Sequence, residues 1–85
     1  MSEHISSGTI LNAILVLKGE IDRQEKTLAR EDISEADLEA EGEALLETQR
    51  AFGELVAVYK SRRQKDPTLP DADAMLARSA VANLR

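Results

Sequence analysis

The chain contains no cysteine and no tryptophan, a single histidine, His4, and only two aromatic residues, Phe52 and Tyr59. Without cysteine, disulfides, thiolate nucleophiles, zinc ribbons and iron–sulfur ligation are excluded together. Ser6, Ser7, Ser34, Ser61 and Ser79 have no partner base, and His4 belongs to no Glu-x-x-His pattern of the kind carboxylate metal sites use. There is no glycine-rich phosphate loop and no dinucleotide-binding pattern. These absences read against an enzyme and against any cofactor or metal. A long hydrophobic run is also missing. The strongest, Ile10 to Leu17, is too short to cross a bilayer, and Glu3 and His4 ahead of it lack the positive charge of a secretory signal. The expectation is a cytoplasmic chain with no membrane partner.

With 85 residues, two separate cores are ruled out, so residues 1–85 are read as one small domain. Scaffolds of this size usually gain only about 3–5 kcal/mol from their core unless a disulfide, a metal or a partner contributes. With the first two unsupported by composition, a partner is expected. The net charge of −5 is unevenly spread. Residues 1–30 are balanced, residues 31–59 carry nine acids against Arg50 alone, and residues 60–85 carry six bases against three acids. Direct binding of nucleic acid fits this distribution poorly.

Two segments have helical periodicity. Ile10, Ile14, Leu17, Ile21, Gln24 and Leu28 recur in steps of four and three, which places them on one stripe. Ser6 is positioned as N-cap, with Ile5 and Ile10 as a hydrophobic staple, so helix 1 is expected from about Ser7. The second stripe is Leu38, Gly42, Leu45, Gln49, Phe52, Val56 and Tyr59, preceded by Ser34 as N-cap and Asp37 three residues on. The break between the segments, about Arg30 to Ser34, is short enough to force antiparallel neighbours. Residues 7–64 therefore read as a helical hairpin, with Leu28 opposite Leu38, Gln24 over Gly42, Ile21 opposite Leu45, Leu17 opposite Gln49, Ile14 opposite Phe52 and Ile10 opposite Val56. Gln24 is expected to cross the bare Gly42 and reach solvent.

Asp66-Pro67 ends the second segment, because a residue before proline avoids the helical region. Residues 65–68 are read as a linker, and Thr68 with Asp71 as a capping box opening a C-terminal helix over 69–83. That helix is alanine-rich, with Met75, Leu76, Val81 and Leu84 as its large apolar groups, and is marginal alone. The fold class expected is all-α: a long antiparallel hairpin plus a short C-terminal helix, completed into a bundle by self-association.

Three features are candidates for function. Residues 10–17 are apolar at seven of eight positions, more than one neighbouring helix covers. Leu11, Leu15 and Val16 are therefore candidate interface residues of a homodimer, with cover by the C-terminal helix as the alternative. Glu35, Glu39, Glu43 and Glu47 recur every fourth residue and form an acidic strip, either a solvated face or a docking surface for a basic partner. Lys60, Arg62, Arg63 and Lys65 form a basic cluster best explained by the negative end of the helix dipole. The function these features favour is a non-enzymatic protein–protein interaction module, a small adaptor, regulator or chaperone-like protein. The alternative is an acidic inhibitor that occupies a basic, nucleic-acid-binding surface of a target protein.

Overall fold

The computed structural model describes residues 4–83 of the chain, and side chains through Arg78. The described residues form three helices, α1 (Ser7–Leu28), α2 (Glu35–Lys65) and α3 (Ala72–Asn83). The long hairpin with a short C-terminal helix is the architecture expected from periodicity.

Both hairpin helices start where their caps place them. Ser6, in extended backbone, accepts from the amide of Thr9 at 3.1 Å, and Ser34 accepts from the amide of Asp37 at 3.2 Å. Each serine satisfies one of the amides that the first helical turn leaves without a partner. Between the helices, Arg30 clamps Asp32 through two hydrogen bonds of 3.0 and 2.8 Å. At the other end of the hairpin, the Arg62 guanidinium donates to the Ile5 carbonyl, and to Ser7 Oγ at 3.4 Å. The foot of α2 thus lies beside the start of α1, the antiparallel arrangement expected from the short connection; on α2 the less exposed side runs through Glu41, Leu45, Thr48, Phe52, Leu55 and Tyr59, while Leu38 and Gln49 of the expected stripe are exposed.

The third helix starts three residues later than its sequence pattern implies. Thr68 does not cap it. The Asp66 carboxylate accepts from the Thr68 amide at 3.2 Å in a local turn, and the cap belongs to Asp71, which accepts from the Asp73 amide at 2.9 Å. Pro70 accounts for the shift, because Leu69 precedes it and is held out of the helical region just as Asp66 is by Pro67.

The core lies at the foot of the hairpin. Ile10, Leu11, Ile14, Tyr59 and Ala72 are buried together, and Phe52, Leu55, Val56, Leu69, Met75 and Leu76 pack around them. Among the described residues, Ile14 and Tyr59 are the large side chains that are completely enclosed; Phe52 is half-buried. Tyr59 donates its hydroxyl to the Pro70 carbonyl at 2.6 Å, and Arg63 donates to the Leu69 carbonyl at 3.0 Å. Lys60 faces Asp73 at 3.4 Å. Two of the four residues in the basic cluster, Arg62 and Arg63, therefore bind backbone carbonyls of other segments, a more specific role than dipole compensation, while the exposed Lys60–Asp73 pair adds little. Val81 and Leu84 lie outside the described side chains.

Two predictions follow from this core. Because Leu69, Ala72, Met75 and Leu76 close it, truncation after Asp66 exposes Ile10, Leu11 and Tyr59; urea denaturation should show a loss of about 3 kcal/mol or more, or no cooperative transition. A truncated hairpin with the full chain's midpoint would show that α3 is dispensable. The centre of the core at Ile14 also means that Ile14→Ala should cost about 2–5 kcal/mol and exceed the cost of Phe52→Ala, as measured by the same titration.

Candidate functional site

Leu11, Leu15 and Val16 occupy three different environments. Leu11 is buried, 8% exposed, in the core that α3 closes; Leu15 is half-buried; Val16 is 63% exposed. Leu11 belongs to the same buried cluster as Ala72, against which Leu69, Met75 and Leu76 also pack, so the third helix contributes to covering the girth of residues 10–17. Of the expected interface trio, Leu11 is thus already committed within the chain, and Val16 is the outward-facing member. Substituting glutamate at Leu11 would disrupt the fold itself and report nothing on association.

The four acids of the strip, Glu35, Glu39, Glu43 and Glu47, are all exposed on the outer side of α2. Glu47 lies 3.9 Å from Arg50, with both groups largely in solvent. Leu46, 67% exposed, falls among them, three residues from Glu43 and beside Glu47. Elsewhere on the surface Ile5, Leu38 and Val58 are also exposed large apolar residues. Scattered singly, such residues are ordinary; they carry meaning only where they share a face.

At the turn of the hairpin an open cleft of about 370 Å³ is lined by Thr27, Arg30, Asp32, Asp37 and Glu41, among others. Arg30 is occupied by Asp32, and its hydrogen bonds hold the Asp32 carboxyl below the usual aspartate range, with the guanidinium charge adding to the effect. Arg23 lowers Glu20 in the same way along α1. Carboxyls lowered in this manner contribute stability at neutral pH that is lost as pH falls through their folded-state values. Asp32 is exposed and Glu20 partly so, and solvent screening keeps the contribution small. Among the described residues, no group of three His, Asp or Glu side chains is arranged to hold a metal ion, and no helix is long and apolar enough to cross a membrane.

Gln24 departs from its expected position. It is 4% exposed, and its Oε1 is buried with no hydrogen-bond partner, as is Oε2 of the half-buried Glu41. A side-chain carbon placed on Gly42 would meet nothing within 4 Å, so Gln24 does not cross Gly42 to solvent. The amide stays buried. Periodicity placed Gln24 on the inner stripe, but the choice between snorkelling outward and lying inward depends on how closely α2 approaches. A buried acceptor without a donor costs about 1–3 kcal/mol, so Gln24→Leu, which keeps the volume and removes that acceptor, should raise stability by about 1 kcal/mol or more in thermal or urea unfolding. A decrease would indicate that the amide makes a needed hydrogen bond in solution.

Comparison with family models, with curated proteins and with solved structures finds no match for the chain. The functional reading therefore rests on its own residues.

Proposed function

We propose that the protein is a non-enzymatic, self-associating helical module that acts by binding another protein, in the manner of a small adaptor, regulator or chaperone. The observation that supports this reading is surplus surface. The chain exposes 6385 Å², whereas a compact monomer of 9.3 kDa exposes about 5,000 Å². Its radius of gyration is 15.4 Å, against about 12 Å for a compact chain of this length. The excess, about 1,400 Å², is larger than the roughly 800 Å² each partner contributes to a standard stable interface. With six buried hydrophobic side chains among the described residues, association offers stabilisation that the monomer's own core does not. A cytoplasmic location is part of the same proposal.

Sedimentation equilibrium at micromolar concentration tests the reading, which requires at least a dimer. A monodisperse, stable monomer across that range would overturn it.

The second reading, an acidic inhibitor of a basic nucleic-acid-binding surface, draws support from the exposure of Glu35, Glu39, Glu43 and Glu47 along one side of α2. An electrostatic contact of that kind weakens steeply with added salt, whereas association through apolar side chains does not.

A further inference from the structure

The segment that follows α2 is tied together by its own bonds. The Asp66 carboxylate accepts from the Thr68 amide at 3.2 Å, and the Leu69 amide donates to the Asp66 carbonyl at 3.1 Å. Asp71 caps the Asp73 amide, and the Met75 amide donates to the Asp71 carbonyl at 3.1 Å. None of these bonds reaches the hairpin. Asp66 itself leaves the helical region, with φ at −135°, and rotation about its N–Cα bond carries every one of them along. Pro67 and Pro70 stiffen the moving piece, because each fixes its own φ and restricts the residue before it.

The ties from this segment to the hairpin are few. Of the side chains that close the core, Ala72 is enclosed but has only a methyl group to bury, and Leu69, Met75 and Leu76 are half-buried. The polar ties are the Tyr59 hydroxyl to the Pro70 carbonyl at 2.6 Å and Arg63 to the Leu69 carbonyl at 3.0 Å. Their acceptors are consecutive carbonyls on a stretch stiffened by proline, so the two bonds grip one rigid strap. The exposed Lys60–Asp73 pair adds little. We propose that residues 67–83 form a latched lid that swings about Asp66 away from the foot of the hairpin while α1 and α2 stay helical, and that the Tyr59–Pro70 and Arg63–Leu69 bonds set how often it opens. Opening uncovers Ile10, Leu11 and Tyr59, so access to the apolar cluster is governed by two hydrogen bonds from one turn of α2.

Hydrogen exchange of the full chain at low urea concentrations, followed amide by amide, tests the lid. The amides of Met75 to Arg78 should share one opening free energy, lower than that of Leu45 to Val56. Their urea slope should lie above zero and below the hairpin's, since opening exposes part of the surface that complete unfolding does. Tyr59→Phe, which keeps the ring and removes the donor, should speed exchange of Met75 to Arg78 about two- to tenfold, and so should Arg63→Ala. Arg62→Ala, whose partners Ile5 and Ser7 lie at the start of α1, should leave those rates unchanged. One free energy and one slope for α3 and hairpin alike would mean that the chain opens only as a whole, and near-zero slopes with a separate rate at each amide would mean fraying; either result overturns the lid. Exchange at the parent rate in both latch variants would overturn the latch. Should Tyr59→Phe fail to fold, Arg63→Ala decides, because it leaves the enclosed side chains of the core in place.

Discussion

A buried phenol needs an acceptor, and the acceptor Tyr59 finds determines how the chain closes. Its ring is fully enclosed against Ile10, Leu11 and Ile14, and its hydroxyl donates to the Pro70 carbonyl at 2.6 Å. That bond draws the linker back across the foot of α2. Arg63, one turn further along, secures the adjoining Leu69 carbonyl. Asp71 then caps α3 from a fixed position, and Ala72, 2% exposed, is held in the core. Without the hydroxyl, the Pro70 carbonyl would lose this acceptor role and α3 would rely on Leu69, Met75 and Leu76 alone. Arg62 completes the arrangement by binding Ile5, ahead of α1, and Ser7 at its start.

The helices were legible because their signals are local. Ser6 and Ser34 each sit three residues before the amide they cap, and proline restricts the residue directly before it. The same logic, applied to Pro67 but not to Leu69 before Pro70, explains why the start of α3 was placed too early. Non-local facts left weaker traces. Period and spacing identify the inner side of α1 but not the direction from which a third helix arrives, so Leu11 read as available when α3 covers it. Lys60, Arg62 and Arg63 look like dipole partners in sequence because their actual acceptors lie six or more residues away in the chain. Gln24 was correctly assigned to the stripe, while its burial depends on helix approach, which spacing does not encode.

The two halves of the hairpin differ for a geometric reason. At 1.5 Å per residue, the 12 residues of α3 make a rod of about 18 Å, anchored at its start beside Tyr59. From Tyr59 to Leu38 along α2 is about 32 Å. A helix of that length, tethered at the foot, closes Phe52 to Tyr59 and leaves the turn half to two helices alone. There, Ile21 and Gln24 are the buried residues, and one of them carries an orphaned polar atom. The turn half is accordingly the least well stabilised part of the hairpin by burial, and the Arg30–Asp32 clamp, being solvated, adds little.

Charge then sorts the surfaces that remain. Residues 31–59 carry nine acids against one base, a concentration that opposes close approach of another acidic chain on most sides of α2. Leu38 and Leu45 stand within this acidic surround, with Glu35 or Glu41 three or four residues from each. Repulsion of that kind excludes acidic partners from α2, so the carboxylates bear on specificity more than on affinity.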